Sequence, residues 1–328
     1  MIVMLRSGAV VRLGFEEVFM AVLNRDLAPA EERSSIGRRL RDWITLSRPH
    51  FWFLSLVALH LGFVLATHRL VPRGEELITM AIAALVAGPL LWLAVLSVND
   101  AWDLDNDRVN PRKAGAPLVR GRITPREAVR VGVIASLASV LVAVPLGRLF
   151  AVGTALVVLL GWAYSAPPLR LKARAGADVI VNSVVVGTLG PLGGWVAMTG
   201  SIQGYPWAIS IIGVMAVAAL YLPTTLVDRE ADHRVGVRTA AVALGSRLTF
   251  EIGFALWVGS AMLALGLAVT GVVIDRSLVP LHLLIAPVLL TLYRVLLREP
   301  SSFGAVLLVA GTYVVPCAAF VLTYIESL

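Results

Sequence analysis

The chain has 328 residues, 58% of them hydrophobic and only 15% charged. With a mean hydropathy of +0.84, it carries too little polar surface for a soluble domain, and an integral membrane protein is expected. The net charge of +7 then reads as basic cytoplasmic loops, with no nucleic-acid partner. One cysteine, Cys317, lies in an apolar segment, so no internal disulfide is available and the residue reads as packing.

Residues 1–45 form a cytoplasmic amphipathic and basic segment. "MIVMLRSGAVVRLGFEEVFMAVL" is broken by Arg6, Arg12, Glu16 and Glu17, which argues against a cleaved signal and for an amphipathic surface helix. The basic stretch "SIGRRLRDWITLSRPH" follows. A spanning helix needs about 20 mostly apolar residues. Nine segments meet that need: 50–68, 78–99, 127–146, 149–165, 177–199, 206–227, 251–273, 278–297 and 302–325. The expected fold is therefore an all-α polytopic membrane protein with a single transmembrane domain over 46–328.

Loop charge sets the orientation. With the N-terminus cytoplasmic, the loops after spans two, four, six and eight carry sixteen of the basic residues, and the opposite loops carry four, Arg69, Arg73, Arg148 and Arg276. The dense acidic clusters, "DLDND" (103–107) and "DREAD" (228–232), fall on the cytoplasmic side. Both read D-x-x-x-D, 125 residues apart, and at the same offset "RIT" (122–124) matches "RLT" (247–249) and Lys113 matches Arg238. Three matches at one offset indicate two related halves, each a helix ending in carboxylates and followed by a basic loop.

Residues three, four and seven apart share a helix face. Asp100, Asp103 and Asp107 line one stripe with Asn99 at its edge, and Asp105 points away. Asp228 and Asp232 make a matching stripe at the end of span six. Carboxylates so crowded repel one another unless a cation neutralises them. Oxygen ligands with no nearby His or Cys suit Mg²⁺, which draws its remaining ligands from phosphate. A metal-bridged diphosphate is the expected ligand. The loop "YSAPPLRLKAR" after span four adds Tyr164, Arg170, Lys172 and Arg174, and Lys172 is one of only two lysines in the chain. Asn182, a polar residue inside span five, is a further site candidate. Pro223, just before Asp228, is placed to bend span six and free carbonyls near the site.

Together, "LSRPHFW", "NDAWDLDND", "YSAPPLRLK", "DREAD" and "GVRTAAVALG" resemble the UbiA superfamily of intramembrane prenyltransferases, from about residue 45 onward. The resemblance implies nine helices bundled around a central cavity, with a cytoplasmic cap over a diphosphate site. It implies that Asn99, Asp103 and Asp107 of the first motif and Asp228 and Asp232 of the second hold two Mg²⁺ ions on an isoprenyl diphosphate. Asp100 supports the site, and Arg48, Tyr164, Arg170 and Lys172 match positions around the diphosphate. The implied reaction is prenyl transfer to a lipophilic acceptor, aromatic or lipid, at the cytoplasmic face of a membrane, here expected to be a bacterial plasma membrane.

Two other readings share these features. A terpene cyclase of the same superfamily would use the same aspartates and Mg²⁺ and let the cation attack its own chain. An aromatic content of 7% leans toward transfer. A cation-coupled transporter would fit intramembrane acids and an internal repeat, but these acids lie at one membrane edge instead of the midplane. The fragments "AGPLLWLAVLSVND" and "NPRKAG" resemble the chlorophyll-synthase and carotenoid-elongating branches respectively, so the acceptor stays open.

Overall fold

The computed structural model describes residues 2–4, 10–12, 36–110, 113–234, 236–299 and 303–326. Among them, nine helical segments are long and apolar enough to cross a membrane, from Pro49–Thr67 to Phe303–Glu326. Each of the nine expected spans has its helix. Span two is longer than its apolar run: it covers Glu75–Arg108 and carries the first acidic motif on its last turns.

The first residues depart from the surface helix expected there. β1 (Ile2–Met4) pairs antiparallel with β2 (Val10–Arg12). The β-branched Ile2, Val3, Val10 and Val11 favour extended backbone over a helix. The rest of that expected helix lies outside the described residues. The basic stretch forms its own helix, α1 (Ile36–Ser47), so the 45/46 boundary falls inside a helix.

The chain divides into two compact units. The first comprises residues 1–53, 84–145 and 151–171. In it α4 (Leu91–Arg108) packs with α5 (Pro125–Ala143) and α6 (Arg148–Ser165). Glycines make the fit close. A Cβ on Gly132 of α5 would lie 2.9 Å from Val98, and one on Gly161 of α6 would lie 2.5 Å from Val95. The indole of Trp162 donates to Ser136 at 3.1 Å and joins α6 to α5. Thr124 and Glu127 form a reciprocal capping box at the start of α5, with Pro125 at the first helical position.

Helix α1 lies against α4. Leu46 is buried with Ala101, Leu104, Leu118, Ile123, Ala128 and Val129. Asp42 takes the Nε of Arg122 on both oxygens, at 2.9 and 3.1 Å. Span two begins as α3 (Glu75–Leu85) and enters this unit through a π turn, Val86–Leu90, that contains Pro89. Proline has no N–H to give to the preceding turn, and the wider π turn accommodates it.

The second unit comprises residues 54–83, 146–150 and 172–328. It contains most of α2 (Pro49–Thr67), then α7 (Ala177–Val184), a π turn at Val185–Leu189 and α8 (Gly190–Thr199). The long helices α9 (Trp207–Arg234) and α10 (Ala240–Thr270) follow, then α11 (Val279–Leu296), α12 (Phe303–Thr312) and α13 (Val314–Glu326). Its core gathers Phe250, Trp257, Tyr293, Leu297, Val306 and Val309.

Pro223 sits inside α9 and, lacking an N–H, leaves the Ala219 carbonyl four residues back without its helical donor. Tyr293 of α11 donates its hydroxyl to that carbonyl at 2.6 Å. Gly253 of α10 makes room for it, since a Cβ there would meet the Tyr293 hydroxyl at 2.4 Å. The carbonyl that Pro223 frees is thus bonded inside the core instead of being offered to a ligand.

The internal repeat is only partly structural. α4 and α9 both end in acidic motifs, and each packs on the helix that follows. Thr124 caps α5, whereas its counterpart Thr249 lies within α10 and bonds the Gly245 carbonyl. Gly245 (φ 78°, ψ 165°) is non-helical, so α10 opens with a short helical piece at 240–244 and resumes past the kink as the long helix that contains Thr249.

Candidate functional site

In the first unit the acidic motif is helical throughout, and α4 turns one face toward a cluster of cations. Asp100 is only 3% exposed. It takes the Arg48 guanidinium at 2.5 Å and the Asn99 amide at 3.2 Å, with the Lys113 ammonium 3.9 Å away. Asp103 pairs with Arg170 at 3.3 Å and Asp107 with Lys113 at 3.2 Å. Ser165, next to Tyr164 at the end of α6, donates to the side-chain Oδ1 of Asn99 at 3.2 Å. Asp105 points the other way, its side chain 57% exposed and 3.6 Å from Arg108. Three buried or half-buried carboxylates therefore face three cations, and each charge has the partner that its loss of water demands.

Two of these cations sit on unusual backbone. Arg48 (φ 48°) and Arg170 (φ 39°) both occupy the left-handed region. That region costs a residue with a Cβ about 1 kcal/mol or more, and such outliers persist where the surroundings hold them. Arg48 precedes Pro49, which disfavours the right-handed helical region at that position. Both strained residues place their guanidinium on the acidic face. We expect Arg48→Gly to be more heat-stable than Arg48→Ala by about 1 kcal/mol, because glycine carries no penalty at this φ. Thermal unfolding in detergent reads this difference directly, and the reverse order would show that the position is unstrained.

In the second unit, Asp228 and Asp232 lie on the last turns of α9, half-buried. Asp232 accepts the Thr239 hydroxyl at 3.2 Å. Lys172 lies in a short 3₁₀ turn, Leu171–Ala173. The backbone two residues on, at Arg174, forms a parallel bridge with Arg238, so the basic loop is stitched to the corner that follows the second motif. Asp178, in the first turn of α7, is fully buried and accepts the backbone N–H groups of Gly176 and Ala240. Asn182 gives its amide to the Asp178 carbonyl in its own helix at 2.8 Å.

The first unit thus gathers Arg48, Asn99, Asp100, Asp103, Asp107 and Arg170, with Tyr164 adjoining through Ser165. The second gathers Asp228, Asp232, Lys172 and Asn182 along one loop and its neighbouring helices. Four residues not chosen from the sequence also take part: Lys113, Ser165, Asp178 and Thr239. Lys113 had a signal as the other lysine of the chain. Asp178 had one as a lone acid at the mouth of an apolar span. Ser165 had one in its place beside Tyr164 at the helix mouth, and Thr239 had none, because its value depends on which carboxylate lies across from it.

The donor set suits Mg²⁺ and a diphosphate. Among the described residues no three acids or histidines close around a metal ion by themselves. Mg²⁺ asks for less, one or two carboxylates completed by phosphate oxygens and water. The first unit supplies oxygen donors on one helical face, and the Nε of Arg170 is buried without an acceptor among the described residues. A buried guanidinium N–H without an acceptor is a place for an anionic oxygen.

A family model for the UbiA prenyltransferase family matches residues 52–310. Over 228 residues the chain is 30% identical to a protoheme IX farnesyltransferase of Symbiobacterium thermophilum, covering 68% of this chain and 72% of the relative. It is 29% identical to a lycopene elongase/hydratase of Haloferax volcanii, covering 74% and 84%, and 25% identical to a homogentisate phytyltransferase of Synechocystis, covering 62% and 68%. A UbiA homolog from Archaeoglobus fulgidus, solved with DMAPP and Mg²⁺, shares the fold with a TM-score of 0.70 at 21% identity, over 88% of this chain and all of that one.

Proposed function

The chain belongs to the UbiA prenyltransferase family, and from that premise we propose that it ionises an isoprenyl diphosphate at the cytoplasmic face of the membrane and transfers the prenyl group to a lipophilic acceptor. The observation that carries this reading is the first motif: three carboxylates, each matched to a cation of the kind that binds phosphate, and one buried guanidinium N–H left over.

In the first unit Asn99, Asp103 and Asp107 would hold Mg²⁺, and in the second Asp228 and Asp232 would do so, two ions in all. The ions, when bound, supply Lewis-acid stabilisation of the departing diphosphate. The chain's own residues do the rest. With Mg²⁺ on Asp103 and Asp107, Arg170 and Lys113, which pair with those carboxylates in this structure, would be the cations available to phosphate oxygens. Arg48, held by Asp100, keeps positive charge at the acidic face throughout. Tyr164 at the end of α6 and Lys172 in the loop that follows add donors. These groups stand in place before the C–O bond breaks, so the developing charge meets donors that need no reorganisation. The apolar helices hold the prenyl tail and keep water from the allyl cation.

The relatives named as farnesyl- and phytyltransferases and as a lycopene elongase/hydratase support a lipophilic acceptor. A solved neighbour with DMAPP and Mg²⁺ supports the donor class and the metal. The test is pyrophosphate release from geranylgeranyl diphosphate by purified protein in detergent, with and without Mg²⁺ and with and without a membrane lipid extract as acceptor pool. Release that requires both Mg²⁺ and the extract is the expected result. Mg²⁺-dependent release without the extract, giving a cyclic hydrocarbon, would establish a cyclase. Silence across prenyl chain lengths would sink both.

A further inference from the structure

Asp178 has an unusual set of partners for a carboxylate with no exposed surface. Among the described residues no lysine or arginine pairs with it. It is held by backbone N–H groups, Gly176 at 2.9 Å on one oxygen and Ala240 at 3.2 Å on the other. Gly176 is the N-cap residue of α7, and Ala240 is the first residue of α10. One buried carboxylate thus takes backbone N–H groups at the starts of both α7 and α10, where N–H groups lack intrahelical acceptors.

Thr239 shows why this matters. It is the N-cap residue of α10, with the extended backbone of a cap (φ −65°, ψ 169°), yet its side chain makes no capping bond. A threonine at that position ordinarily turns its oxygen onto the N–H of the second or third helical residue. Here the hydroxyl turns the other way and donates to Asp232 Oδ2 at 3.2 Å. Asp178 caps the helix from outside, and the native cap residue is released to hold a carboxylate of the second motif. The Arg174–Arg238 backbone bridge fastens the same corner one residue earlier.

We infer that Asp178 is a positioning residue for the second motif: through the Thr239–Ala240 corner it fixes the orientation of the Asp232 carboxylate. The inference rests on the assignment of Asp232 as a ligand for metal-bound diphosphate. Loss of a group that orients a metal ligand typically lowers metal affinity by about 10–100-fold. Residues acting along one path also lose function once, so combined substitutions do not multiply.

The experiment titrates Mn²⁺ into detergent-solubilised protein with a non-ionisable prenyl diphosphate analogue, reading the free Mn²⁺ signal by electron paramagnetic resonance. Thr239→Val removes the hydroxyl and keeps the shape. It should raise the half-saturating Mn²⁺ concentration by about tenfold, with little change in thermal stability. Thr239→Ser should bind as wild type does. Asp178→Asn should match Thr239→Val, and the double variant should be no worse than either. If Asp178→Asn does not fold, the valine and serine variants decide the matter. Wild-type Mn²⁺ binding in Thr239→Val, or losses that multiply in the double variant, would overturn the inference. A wild-type protein that binds no Mn²⁺ and releases no pyrophosphate would instead sink the functional reading beneath it.

Discussion

Asp103→Ala and Asp232→Ala should each lower Mg²⁺-dependent pyrophosphate release by at least about three orders of magnitude, while Asp105→Ala stays close to wild type. The three acids are close in kind and, for two of them, two residues apart in sequence. Their surroundings separate them. Asp103 faces Arg170 across the acidic face of α4 at 3.3 Å, and Asp232 is oriented by Thr239 at 3.2 Å. Asp105 is largely in solvent beside Arg108, and an exposed pair of that kind contributes little. Asp103→Asn is the more searching variant. It keeps the size and one acceptor for Arg170 but removes the negative charge. If charge on this face is what holds the metal, it fails nearly as badly as alanine. Release measured over a Mg²⁺ series reads all four, and near-wild-type turnover in Asp103→Ala would remove the first motif from the chemistry.

Gly62→Ala should cost the fold about 3 kcal/mol or more, and Gly194→Ala as much. The two glycines are reciprocal. A Cβ on Gly62 of α2 would lie 1.8 Å from the Pro191 carbonyl oxygen of α8, and one on Gly194 of α8 would lie 1.9 Å from the Leu59 carbonyl oxygen of α2. Each pair is three residues apart on its own helix, so the two backbones cross in direct contact. Backbone cannot swing aside as a long side chain can, and the helices must part by more than an ångström. In a membrane that packing is itself a main source of helix association. The same substitution at Gly266 of α10, where nothing lies within 4 Å, should leave stability unchanged or raise it by about 0.5–1 kcal/mol. Thermal unfolding and size-exclusion profiles in detergent compare the three. A monodisperse Gly62→Ala protein with wild-type stability would show that α2 and α8 do not meet this closely.

The nine spans and the two acidic motifs were legible in the sequence because their physics is local. A run of about 20 apolar residues has only a helix by which to satisfy its backbone in lipid. D-x-x-x-D on such a helix puts both acids on one face whatever the helix packs against, and α4 and α9 run helical through Asp107 and Asp232 as that reading requires. Neighbours in space were not legible. Arg48 reaches Asp100 across 52 residues and Arg170 reaches Asp103 across 67. The repeat pairs Thr249 with Thr124, yet Thr249 bonds the Gly245 carbonyl and it is Thr239 that bonds the second motif, because a short helical piece at 240–244 precedes the kink at Gly245. Pro223 by itself implies a free carbonyl, and only the packing of α11 on α9 puts the Tyr293 hydroxyl on it.

The sequence by itself determined that this chain carries nine runs long and apolar enough to cross a membrane, with paired carboxylates at the ends of two of them, since hydrophobic length and helical period are properties of consecutive residues. Tertiary structure alone decided which hydroxyl orients Asp232, which cations guard Asp100, Asp103 and Asp107, and why Asp178 is buried. Those answers depend on how far helices turn at π turns, prolines and bare glycines before they meet, and that angle is set by the packing partner.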